Sequence, residues 1–88
     1  ENRTMRDKKI EKLSELVRSA QDTVRESGYA TVMLKACGEI GEHYSRAFVV
    51  WERACRHLLA LAELLGPETV NDCQQFIAAS WNPRTNKC

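Results

Sequence analysis

No stretch of this chain approaches the roughly 18 consecutive apolar residues needed to cross a bilayer, and no signal-peptide pattern opens it. No CxxC pair occurs. The intervals separating Cys37, Cys55, Cys73 and Cys88 are far too long for a zinc knuckle. Net charge is only +1, so bulk charge argues for no nucleic-acid partner and local clustering alone can do so. Proline is confined to two positions and glycine to four, which limits where helices can be interrupted. No Ser/His/Asp or Cys/His constellation suggests catalysis, and no repeat or low-complexity tract is present. The first residue is Glu1 rather than Met, which suggests a fragment of a longer protein.

What remains is a short amphipathic chain. Its 88 residues allow one domain at most. A hydrophobic content of 43% with 28% charged residues describes a globular chain rather than a disordered tail. The four cysteines admit a disulfide framework, but Cys37, Cys55 and Cys73 lie on or beside apolar stripes. Reduced thiols packed as small hydrophobes are the favoured reading.

Helical periodicity runs through most of the sequence. Thr4, with Asp7 three residues on, reads as an N-cap. From there Ile10, Leu13, Val17, Ala20 and Val24 recur at spacings of three and four, with Gly28 as the expected left-handed stop. A second seam alternates four and three through Met33, Cys37, Ile40, Tyr44, Ala47, Trp51, Ala54, Leu58, Leu61 and Leu65. It passes directly through Gly38 and Gly41. A continuous helix from Ala30 to Leu65 would be about 54 Å long; a break near 38–42 is the alternative. Gly66-Pro67 closes this element and opens a third, PETVNDCQQFIAASW, which Asn82-Pro83 ends.

The expected fold is all-α. One first helix and one short third helix do not suffice to cover a 54 Å apolar seam (about 1.5 Å per residue). The spacing therefore predicts a long-helix antiparallel bundle completed by homodimerisation. A monomeric four-helix bundle broken at Gly38–Gly41 is the competing architecture. Residues 1–81 form the expected single domain for dimerisation and RNA binding, and residues 82–88 the expected tail or joint.

Function, on this reading, lies in the charged face. His43 and His57 are separated by about 21 Å along a continuous helix and do not share a metal. No metal, cofactor, small-molecule substrate or membrane partner is expected, and no enzymatic activity. Leu61–Leu65 matches an LxxLL docking pattern that amphipathic helices often match by chance. Opposite the seam, Lys35, His43, Arg46, Arg53, Arg56 and His57 fall within about a 100° arc, interspersed with Glu39, Glu42 and Glu63. Lys8, Lys9 and Lys12 lie outward on the first helix. An isolated helix of this kind is most simply a solvated, salt-bridged surface. Two copies would instead present paired basic stripes suited to the backbone of double-stranded RNA, which is gripped by shape and phosphates more than by bases.

The run DKKIEKLSELVRSAQDTVRESGY, the long second element and AELLGPETVNDCQQFIAASWNPRTNKC together carry a resemblance across essentially the whole chain. They resemble the N-terminal helical domain of the tenuivirus non-structural proteins that suppress RNA silencing. The resemblance rests on no short motif. It implies an all-helical homodimer that sequesters small interfering RNA duplexes through basic residues, in the cytoplasm of a host cell. Lys8, Lys9, Lys35, His43, Arg46 and Arg53 are the candidate RNA contacts by position and charge. The rival reading is a helical dimerisation or adaptor module for another protein.

Overall fold

Three helices account for most of the chain in the computed structural model, which describes residues 2–85, with side chains from Thr4 onward. Helix α1 spans Asn2–Ala36, α2 Glu42–Leu65 and α3 Pro67–Ala79, and no strand occurs among the described residues. The all-α expectation holds. The boundaries of the first two elements do not.

Helix α1 begins before Thr4 and continues through Gly28, which keeps a negative φ. The left-handed glycine lies ten residues later. Gly38 has φ 82°, its N–H donates to the Lys35 carbonyl at 3.0 Å, and the Glu39 N–H donates to the Leu34 carbonyl at 2.8 Å. These two bonds and that φ form a Schellman cap, in which glycine satisfies the last helical carbonyls without a Cβ penalty. The expected continuous helix from Ala30 to Leu65 is therefore absent. Residues 37–41 form a turn, and Cys37 and Ile40, assigned to the seam by spacing, are exposed in it.

This turn sends α2 back along α1. Val17, Ala20 and Val24 of α1 meet Trp51, Ala54, Leu58 and Ala62 of α2, with Cys73 of α3 completing the buried cluster. Val24, Leu58 and Ala62 are entirely inaccessible. Such residues each gain about 1.5–3 kcal/mol from leaving water if large, less if small. The apolar stripe expected to need a second copy is thus broken at Gly38, and its stretch from Trp51 to Ala62 is sheltered by Val17, Ala20 and Val24 of α1 and by Cys73 of α3. Its interior polar groups are mostly satisfied locally: the buried Thr31 hydroxyl donates to the Ser27 carbonyl at 2.7 Å. The indole Nε1 of buried Trp51 has no partner among the described residues.

Gly66 and Pro67 reverse the chain again, with proline in the first turn of α3 where its missing N–H is harmless. Helix α3 and the residues just after it lie along α1 through three side-chain pairs. The Gln21 amide donates to the Cys73 sulfur at 3.9 Å, the Arg25 guanidinium stands 5.8 Å from the Phe76 ring centroid, and Tyr29 and Trp81 meet edge-on at 5.1 Å.

Helix α1, at 35 residues, is about 52 Å long, which accounts for the 56 Å longest dimension of the molecule. Helices α2 and α3 cover only its central and C-terminal parts. Every residue from Thr4 to Lys12 is exposed, so the first turns of α1 project as an arm about 20 Å beyond Val17.

Candidate nucleic-acid interface

The inward side of α2 is fixed by Trp51, Ala54, Leu58 and Ala62. Advancing 100° per residue from that side places Arg46, Val49, Arg53, Arg56 and Ala60 on the opposite face. All five are exposed. Arg46 and Arg56 are separated by about 15 Å along the axis, with Arg53 between them. This is the row expected from the sequence, and the amphipathic period accounts for it directly.

The other candidates are dispersed. His43 is exposed in the first turn of α2 but is turned roughly 115° from the outward direction, onto the flank of the helix. Lys35 does not belong to this helix. It occupies the last turn of α1, on the far side of the Gly38 turn, where its charge complements the helix C-terminus. Lys8 and Lys9 lie on the exposed arm, and Lys9 is about 39 Å from Lys35 along the α1 axis. The expected arc of Lys35, His43, Arg46 and Arg53 on one helix is therefore corrected. The structure holds two basic centres, one at each end of the molecule.

Charge on the α2 face is partly compensated. Arg46 donates to Glu42 at 2.6 Å across one helical turn, with both side chains largely in solvent. An exposed pair of this kind contributes about 0.3–0.5 kcal/mol, so phosphate can displace the carboxylate at small cost. Arg53 and Arg56 have no ion-pair partner among the described residues. Apolar surface shares the face and its flank: Val49 and Leu64 are 43% and 66% exposed on the outward side, and Val50 is 48% exposed on the flank.

One further cation has no signal in the sequence. Arg84 falls within RTNKC, the stretch expected to be a tail, yet it donates to Glu52 at 2.6 Å and stands 5.8 Å from the Trp51 ring centroid. Buried Asn82 sets this position, accepting a hydrogen bond from the Arg84 backbone N–H at 2.9 Å while its amide donates to the Ile77 carbonyl at 3.2 Å. Arg84 and Arg56 border a cavity of about 270 Å³ floored by Trp51, Leu59 and Ile77. No periodic signal marks Arg84, because its placement depends on an Asn turn beyond the last helix. Residues 86–88, including Cys88, lie outside the described residues.

The remaining chemistry is sparse. Cys37, Cys55 and Cys73 are free thiols. Burial pushes Cys55 up to about 11, against a smaller opposing pull from Arg84, and burial raises Cys73 as well. Neither is a poised thiolate. No group of three His, Cys, Asp or Glu side chains gathers as a metal site among the described residues, and no described helix is long and apolar enough to cross a membrane. The LxxLL segment is packed rather than presented: Ala62 is buried, Leu61 and Leu65 are half-buried against the core, and of its leucines only Leu64 faces solvent.

No protein-family model, curated protein or solved structure matches this chain. The geometry above therefore carries the functional argument.

Proposed function

We propose that this chain is a non-catalytic module that binds double-stranded small RNA without sequence preference, as a homodimer. In a host cell's cytoplasm it would sequester small interfering RNA duplexes and so suppress RNA silencing. The carrying observation is the outward row of Arg46, Arg53 and Arg56 on α2, exposed along about 15 Å. The resemblance to the tenuivirus silencing suppressors supports the same reading. Guanidinium groups grip phosphate oxygens in a bidentate fork, and a row on a straight helix meets successive phosphates without reading bases. Lys35 and His43 extend the basic character toward the Gly38 turn. Gel shifts with RNA duplexes of several lengths test this reading: binding that falls steeply with salt supports it, and absence of binding to every duplex at low salt defeats it.

A second reading rests on the same face. Val49, Val50 and Leu64 make that face and its flank partly apolar, which suits a helical adaptor that docks another protein. Salt separates the two, because phosphate contacts weaken with ionic strength and an apolar interface does not.

A further inference from the structure

The projecting arm of α1 has a different character from the row on α2. Met5, Lys9, Lys12 and Leu16 fall at spacings of four, three and four, which places them on one stripe of the helix. All four are exposed, Met5 by 61% and Leu16 by 42%, and the stripe lacks any cover from α2 or α3. Between Thr4 and Lys12 the arm holds four cations, Arg6, Lys8, Lys9 and Lys12, against two carboxylates, Asp7 and Glu11. None of these four cations has an ion-pair partner among the described residues.

The opposite charge lies at the same end of the molecule. From Ala60 to Ala79 the chain carries Glu63, Glu68 and Asp72 and no Lys, Arg or His. Glu63 lines a shallow groove of about 350 Å³ at the α2–α3 turn, beside Pro67 and Val70. Leu64 next to it is 66% exposed, and none of the three carboxylates is paired among the described residues. Val17 packs in the cluster joined by Leu61, Leu65 and Val70, so this acidic end lies at the level where the arm leaves the body. A straight helix carries the arm away from its own groove, so an intramolecular contact is not formed.

We infer that the arm is a self-association element: it docks on the acidic α2–α3 groove of a second copy, and that copy's arm docks reciprocally. The two-fold arrangement repeats one contact twice and closes, as an isologous dimer requires. Met5 and Leu16 meet apolar surface at Leu64 and Val70, and Lys9 and Lys12 face Glu63 and Glu68. The outward row on α2 is an unsuitable self-contact by comparison. An antiparallel pairing centred on Val49 and Val50 would set Arg46 against its partner's Arg53, and like charges so placed are repulsive. The inference rests on the homodimer of the reading above and gives it a location. It also moves Lys9 from an RNA contact to a protein contact.

Charge exchange tests the arrangement, with molar mass measured by sedimentation at low salt and without RNA. The wild-type chain is expected to be a dimer. The Lys9→Glu/Lys12→Glu variant has an acidic stripe facing an acidic groove, and the Glu63→Lys/Glu68→Lys variant has a basic stripe facing a basic groove. Each is expected to dimerise at least about tenfold more weakly. An equimolar mixture restores attraction at both contacts and should form a one-to-one heterodimer. Circular dichroism confirms that each variant is helical before mixing. A monomeric wild-type chain overturns the inference, as does a mixture of two folded variants that fails to associate. An unperturbed dimer in either variant overturns it too. Loss of RNA binding with these masses intact strikes only the RNA reading. RNA binding by a wild-type monomer strikes the contact described here and the homodimer of that reading, and leaves the RNA binding itself standing.

Discussion

The backbone of Gly28 lies directly against the carbonyl oxygen of Trp81. A Cβ built at Gly28 would overlap that oxygen and would lie 3.2 Å from Cδ1 of Trp51. Two effects oppose each other in Gly28→Ala. Helix propensity favours alanine by about 0.8–1 kcal/mol, whereas overpacking a filled interior costs about 1–3 kcal/mol. The obstructing atom belongs to the backbone and cannot rotate aside, so the steric term wins. The variant should unfold at lower urea concentration than the wild type, with near-UV dichroism from the tryptophans diminished. A stabilised variant would show that α1 and the Trp81 carbonyl are not in this contact.

Gly38 presents the converse case. An added Cβ there meets nothing within 4 Å, so its requirement is purely a matter of φ, at 82°. Gly38→Ala should cost about 1–2 kcal/mol. Gly38→Asn should cost less, because asparagine tolerates the left-handed region, and Gly38→Val more. Urea melts of the three variants should rank in that order. Equal costs would show that something other than backbone conformation selects glycine.

These two glycines also show what the sequence could and could not disclose. Spacing alone places Val17, Ala20, Val24, Trp51, Ala54 and Leu58 on apolar seams, and all are buried. The Gly66-Pro67 junction was legible because glycine and proline impose local constraints. Gly28 and Gly38 are not distinguishable locally, since each is a lone glycine at the end of or within an apolar seam and each can supply a left-handed stop. What separates them is tertiary: Gly28 is needed for a close approach to a residue from the far end of the chain. The seam's phase continued through the turn only because Cys37 and Ile40 happen to fall at the right intervals, and Ile40 is 69% exposed. At the candidate interface, the outward positions of Arg46 and Arg53 followed from helical period. The separation of Lys9 from Lys35 did not, because it depends on where the chain reverses.

If Arg46 and Arg53 contact phosphate, their joint replacement by alanine should weaken duplex binding and flatten its salt dependence. Each lost contact removes about 0.9 from the logarithmic slope on B-form DNA, with a comparable loss on duplex RNA. The Arg46–Glu42 pair is solvent-exposed, so folding stability should move by no more than about 0.5 kcal/mol. An unaltered slope would remove both arginines from the site. Lys8→Ala tests the arm separately, because Lys9 belongs to the self-contact: an unchanged slope removes the arm from the RNA site.

The thiols predict a dependence on alkaline pH. Burial holds Cys55 protonated in the folded chain, up to about 11 from an ordinary value of 9.0. Raising the pH therefore ionises the unfolded chain first and draws the equilibrium toward it. The Cys55 contribution is intact below about pH 9 and declines until about pH 11, by at most about 1.4 kcal/mol per pH unit and less because the residue is only half-buried. Cys73 acts in the same direction. Cys55→Ala should have a shallower loss of stability across that range than the wild type, in urea melts at matched pH. Parallel curves would contradict the burial of the thiol. Thiol-reactive dye at neutral pH should label exposed Cys37 well before Cys55 or Cys73.

Asn82 and Arg84 share the anchoring of the last described residues, but their contributions should differ. Asn82 is 7% exposed, and its side chain serves both the Ile77 carbonyl and the Arg84 backbone N–H. Replacing it with alanine strands buried polar groups, at a cost of about 1–3 kcal/mol. Arg84, whose side chain is 62% exposed, forms a solvent-facing pair with Glu52 worth no more than about 1 kcal/mol. Asn82→Ala should therefore lower the urea midpoint clearly, while Arg84→Ala should leave it nearly unchanged. The reverse ranking would mean that the ion pair, and not the asparagine turn, fastens this segment over Trp51. Because Arg84 stands beside Arg56, duplex binding by Arg84→Ala adds a second readout. Weaker binding without loss of stability would extend the basic face of α2 to include it.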